Sequence, residues 1–127
     1  MQKKALLILF LCSVVLFTFT ACSTSGATSN APGTVHMSDT AFTQSTVTIK
    51  KGESITLIAD TFTTQIIANG TWKKATAQPA KEAGAPAVNN VQIASNSSAS
   101  IGPFTTAGTF HLYCTVHVGM ELTVVVQ

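Results

Sequence analysis

At 127 residues, with 46% hydrophobic and only 9% charged side chains, the chain has material for one domain with a substantial core. Its formal charge of +2 comes from seven lysines, with no arginine, against five carboxylates. That excludes a basic nucleic-acid-binding face. The five acids are scattered singly and offer neither an acid/base pair nor a nucleophile with a base beside it, so the composition points away from an enzyme.

The N-terminus reads as an export signal. Lys3 and Lys4 precede an almost unbroken apolar run over residues 5–19, too short to span a bilayer comfortably and followed by small residues. Phe19-Thr20-Ala21-Cys22 resembles a lipobox. That resemblance implies a signal peptide over residues 1–21, cleavage before Cys22, and lipidation of Cys22, which places the protein outside the cytoplasm, anchored to the cell membrane. Residues 22–33 are rich in Ser, Thr, Gly and Ala and suit a flexible lipidated tether, leaving residues 34–127 for the folded domain. Once residues 1–21 are removed, five lysines balance five acids, and partners would be recognised through apolar contact.

Short Thr-, Val- and Ile-rich stretches follow, separated by Gly, Pro, Asn and Asp. The pattern predicts strands over residues 34–37, 46–51 and 54–59, the last two joined by a tight hairpin at Gly52-Glu53. A further strand is predicted over 65–68, closed by Asn69-Gly70. Residues 73–87 read as a long surface loop with one helical turn around 79–82. Strands over 88–94, 98–104, 109–114 and 121–126 complete the set. Eight short strands without helical periodicity predict an all-β fold, an antiparallel Greek-key sandwich or barrel.

Chemistry concentrates in one segment. With Cys12 in the signal and Cys22 at the lipid site, Cys114 is the one thiol of the domain and has no partner for a disulfide. It ends a strand, and His117 and Met120 follow at three-residue intervals on a short loop. A soft thiolate, an imidazole and a weak thioether form the kind of donor set used by copper that cycles between two oxidation states.

The segment Gly108-Thr-Phe-His-Leu-Tyr-Cys-Thr-Val-His-Val-Gly-Met120 resembles the cupredoxins, the blue-copper family, and its Cys-x-x-His-x-x-Met spacing resembles the amicyanin type of ligand loop. Residues 45–57 are similar to the family's second and third strands, so the resemblance covers most of 34–127, with 73–87 the least matched part. It implies a cupredoxin-like fold of about eight strands holding one mononuclear copper ion. Cys114 would be the thiolate, His117 the imidazole near the exposed edge and Met120 the axial thioether. The family takes another histidine from the loop between its third and fourth strands, and here Gln65 stands at that position. An amide oxygen can ligate copper, though it is harder and weaker than imidazole.

The other histidines are not expected at the site. His111 lies an odd number of residues from Cys114 on one strand and therefore on the opposite face, and nothing brings His36 to the loop. Both read as solvent-exposed. Met37 reads as a core residue and Trp72 as core or edge packing.

Three functions stay open at this stage. The first is single-electron transfer by copper at the outer face of the membrane, with Val116, Val118 and Gly119 as a neutral docking rim. The second is a copper-holding or copper-delivery module, and the third a metal-free structural relic in which Gln65 records the loss of a ligand. The expected partners are a redox or copper-exchange protein and, through the lipid, the membrane. No nucleic acid is expected, and the domain is read as a monomer.

Overall fold

The structure is a computed structural model that describes residues 31–127. The expected signal peptide, the expected lipidation site Cys22 and most of the expected tether lie outside the described residues. Among the described residues there are nine strands and no helix: β1 (Thr34–Met37), β2 (Thr46–Ile49), β3 (Ile55–Ala59), β4 (Gln65–Lys73), β5 (Thr76–Pro79), β6 (Val91–Ile93), β7 (Ser98–Ile101), β8 (Gly108–Cys114) and β9 (Glu121–Val126).

They form two sheets. One has the order β1-β3-β7, and the other β2-β9-β8-β4-β5 with β6 also paired to β4. Alternate residues of each strand turn inward, as a period of two requires. Val35 and Met37, Ile55, Leu57 and Ala59 line one inner face, and Phe110, Leu112, Leu122 and Val124 come from the other sheet; all are buried. The Phe104 and Phe110 rings meet with centroids 5.7 Å apart. Met37 lies in this core, in line with its sequence reading.

Three expectations are corrected. Residues 50–53 do form a turn, closed by Glu53 N–H donating to the Lys50 carbonyl at 3.0 Å and by Lys50 N–H donating to Glu53 Oε2 at 2.7 Å. The turn does not make a hairpin, because β2 pairs with β9 while β3 pairs with β1 and β7. Both flanking strands carry an apolar face, and the chain buries the two faces against each other by crossing between sheets.

Second, the sandwich is mixed. β1 pairs with β3, and β2 with β9, in parallel.

Third, part of the expected surface loop is strand, and 79–82 forms no helical turn. β4 runs through Asn69-Gly70 to Lys73 and folds back onto β5 through Lys74 and Ala75, both at positive φ (47° and 62°). Two-residue hairpin turns want such angles and usually signal them with Asn or Gly, which are missing here. Gly70 has the special geometry instead: at φ +133° its α-carbon lies so close to β5 that an added Cβ would be 2.3 Å from the Gln78 carbonyl oxygen.

Beyond β5, residues 80–90 are strapped to the sheet. Asn69 Oδ1 accepts from Val88 N–H at 2.7 Å, and the Asn69 N–H donates to the Val88 carbonyl at 3.0 Å. These bonds occupy Val88, which shortens the strand expected over 88–94. Gly102-Pro103 ends β7 early, since proline has no N–H for the ladder.

Candidate metal centre

β8 delivers Cys114 to its last position, where the residue is fully buried and opposite Ile67 of β4. The loop that follows is tied at both ends. Cys114 N–H donates to the Met120 carbonyl at 3.0 Å, and Met120 N–H to the His117 carbonyl at 3.2 Å. Thr115 N–H donates to Ile66 at 2.8 Å and fixes the loop to β4. Gly119, at φ +79°, lets so short a loop reverse. Gln65, the first residue of β4 and fully buried, enters the same space from the neighbouring strand.

Three side chains meet there. Cys114 Sγ is 3.2 Å from Gln65 Oε1 and 3.5 Å from His117 Nδ1, and His117 Nδ1 is 3.0 Å from Gln65 Oε1. The amide oxygen accepts from the thiol and faces the half-buried imidazole. Gln65 Nε2 donates away from the cluster to the Asp39 carbonyl at 3.3 Å.

The residues fit a metal ion. First-row ions lie about 2.0–2.3 Å from such donors. Three donors spread by about 110–120° around one ion are then roughly 3.3–3.9 Å apart, within a few tenths of an ångström of the sides of this triangle. Among the described residues no three of His, Cys, Asp and Glu converge. The third member of the cluster is accordingly the Gln65 amide. Met120, 2% exposed, starts the return from the loop and has its side chain in the hydrophobic core. It is near in the chain and tied by its backbone, but it is not one of the hydrogen-bonded three.

The remaining histidines are elsewhere, and neither is simply exposed. His36 Nδ1 is 2.5 Å from Asp60 Oδ2, and His111 Nδ1 is 2.6 Å from Glu82 Oε1, an oxygen that also accepts the His111 N–H at 3.1 Å. Each imidazole is half-buried and meets a carboxylate, which corrects the reading of both as solvent-exposed. The His111–Glu82 contact pins residues 80–90 to β8. His111 does lie on the opposite strand face from buried Cys114.

Two contributors escape sequence reasoning. Trp72 Nε1–H donates to the Cys114 carbonyl at 3.2 Å, its N–H bonds Glu121 Oε1, and its ring meets Tyr113 edge-on at 5.6 Å. Asp39 acts through a backbone carbonyl, which no residue-type motif reports. A cavity of about 520 Å³ lined by Asn69, Lys81, Tyr113 and Thr115, among others, lies beside β8 but includes none of the three clustered side chains. The end of the molecule bearing the loop is apolar: Val116 and Val118 are 51% and 63% exposed, and Phe62, three residues before Gln65, is 91% exposed.

No protein-family model and no curated protein sequence matches the chain. Solved structures do. Amicyanin from Paracoccus versutus is 20% identical, with 78% of this chain and 84% of that one covered at a TM-score of 0.58. A reduced Cu(I) form of an amicyanin variant at pH 4 is 19% identical over 78% and 85% of the two chains, with a TM-score of 0.57. Another reduced amicyanin variant is 21% identical over 76% and 85%, with a TM-score of 0.56. At these identities the likeness establishes the fold, a cupredoxin-like β-sandwich.

Proposed function

We propose that the protein binds one copper ion through Cys114, His117 and Gln65, with Met120 as a weak further donor, and carries single electrons at the outer face of a membrane. The observation that carries this reading is the contact of thiol, imidazole and amide oxygen within 3.0–3.5 Å at one end of a cupredoxin-like sandwich. Copper, when bound, would supply the one-electron couple. The protein's part is to hold the donors nearly still. Cys114 is fixed by the β8 ladder and by Trp72, and His117 by a loop closed at both ends. Half-buried His117 lies between exposed Val116 and Val118, so an electron has a short way out through an apolar surface that a partner protein can cover. The Lys3/Lys4 start, the apolar run and Ala21-Cys22 support export and lipid anchoring.

Copper delivery is a second reading, favoured by one feature. Cys114, His117 and Met120 are a thiolate, imidazole and thioether set that suits soft Cu(I) at low coordination number, and the Gln65 oxygen adds only a weak fourth donor. Titration of the soluble domain with Cu(II) separates the two. A strong visible thiolate-to-copper band that bleaches and returns on reduction and reoxidation is expected for the carrier. Uptake of Cu(I) alone would favour delivery, and no uptake of either ion would overturn both.

A further inference from the structure

The orientation of the Gln65 amide is set from outside the cluster. A glutamine side chain has one donating and one accepting end. A backbone carbonyl only accepts, so the end that faces Asp39 O at 3.3 Å is Nε2. Oε1 is thereby left toward Cys114 Sγ and His117 Nδ1. Because Gln65 is fully buried, no solvent competes for either end.

The Asp39 carbonyl is itself held in place. It belongs to a turn between β1 and β2 in which Ser38 N–H and Ser38 Oγ donate to the Ala41 carbonyl at 2.8 and 3.1 Å. Asp60 N–H joins that turn to the end of β3 through the Met37 carbonyl at 3.0 Å. The Asp39 side chain then reaches the loop that carries Gln65: Oδ1 accepts from Phe62 N–H at 3.1 Å and, more loosely, from Thr63 Oγ1 at 3.5 Å. The loop is braced from the other side by Thr61 Oγ1 donating to the Thr63 carbonyl at 2.7 Å and by Ser95 Oγ donating to the Thr61 carbonyl. One residue grips the loop by its side chain and the amide by its backbone.

We propose that Asp39 is a positioning residue that locks Gln65 with its oxygen toward the thiol–imidazole pair, so that the third donor offered to a metal is a neutral oxygen and never the amide nitrogen. The metal-bound consequence rests on the copper reading above, whereas the lock is a property of the metal-free protein.

The experiment uses that separation. In the ¹⁵N-labelled, metal-free domain, the Gln65 side-chain NH₂ should exchange with solvent about tenfold more slowly than that of exposed Gln92, given one retained hydrogen bond in a buried site. Asp39→Ala removes the acceptor for Phe62 and Thr63 at an exposed position, so the sandwich should stay folded by circular dichroism while Gln65 protection falls toward the Gln92 rate. Asp39→Asn keeps an Oδ1 acceptor and should keep the protection. On adding Cu(II), Asp39→Ala should shift the thiolate band and the paramagnetic resonance spectrum, and Asp39→Asn should leave both as in wild type. A slow Gln65 amide in Asp39→Ala, or a fast one in wild type, would overturn the proposal. If no form of the protein takes up copper, the copper reading falls, and the amide exchange rates still decide the role of Asp39.

Discussion

Replacing Gln65 by histidine should turn a thiol–imidazole–amide cluster into one that offers copper two imidazoles and a sulfur. The geometry favours it. Imidazole Nδ1 is one bond nearer the backbone than the glutamine Oε1, about 1.3 Å by covalent lengths, while Nε2 has the reach of the present amide nitrogen. In Gln65→His the Nε2–H can donate to the Asp39 carbonyl, as Gln65 Nε2 does at 3.3 Å, leaving the Nδ1 lone pair toward Cys114 and His117. The shorter reach also opens the triangle, whose present sides of 3.0–3.5 Å are slightly tight for an enclosed ion. Changing partners that only support a ligand commonly alters metal affinity 10–100-fold, so exchanging the donor itself should raise copper affinity by at least about that factor, roughly 1.4–2.8 kcal/mol. Since the two side chains are similar in size, metal-free stability should change by less than about 1.5 kcal/mol. Copper titration of wild type and variant, followed by absorption and paramagnetic resonance, measures the gain. Equal affinity and an unchanged spectrum would refute the placement of Gln65 as a donor.

Cys114→Ser should abolish any visible charge-transfer band yet keep the fold, because a serine hydroxyl can still donate to Gln65 Oε1; the expected loss in urea denaturation is about 1–2 kcal/mol, and a retained band would remove Cys114 from the site. Copper binding should quench the fluorescence of Trp72, the only tryptophan, whose indole bonds the Cys114 carbonyl, and the quench should vanish in Cys114→Ser. Gly70→Ala should cost about 2–3 kcal/mol or more by forcing β4 and β5 apart, and a neutral result in urea would mean that the hairpin is not packed as described. Cys22→Ala should release the protein from membranes or block its processing, and a normally processed, membrane-bound variant would refute lipid anchoring at that residue.

β1 and β9 could be read from sequence to the residue, β1 as an alternating stretch between Gly33 and Ser38, β9 as a valine-rich run that opens just after Gly119-Met120. β5 could not: its turn uses Lys74 and Ala75, which carry no turn signal, and its own TAQP sequence has a single branched residue, Thr76, and ends in a proline, which strands disfavour. The parallel pairings were equally hidden, since alternation says which side chains face inward but not which strand lies alongside. At the candidate centre, residue type and spacing found Cys114 and His117, and likeness to the cupredoxins found Gln65. The contacts that support them were invisible because they run through main-chain atoms, the Asp39 and Cys114 carbonyls, which every residue possesses. The carboxylate partners of His36 and His111 lie 24 and 29 residues away in the chain, beyond the reach of any local pattern.

The parallel pairing of β1 with β3 gives the molecule a direction. Thr34 sits beside Thr56 at the start of β3, while Met37 sits beside Ala59, whose strand runs on into the loop carrying Phe62 and Gln65. The start of β1 and the Cys114–His117–Gln65 cluster are therefore at opposite poles of the sandwich, separated by at least the length of β1, about 10 Å at 3.3 Å per residue. A lipid on Cys22 would pull on the pole where β1 starts. The domain would then be held like a lamp on its cord, by the pole away from His117 and the apolar rim of Val116 and Val118, which the attachment would leave uncovered. Such an attachment would let the rim sweep the reach of the tether and meet a partner without the lipid being released.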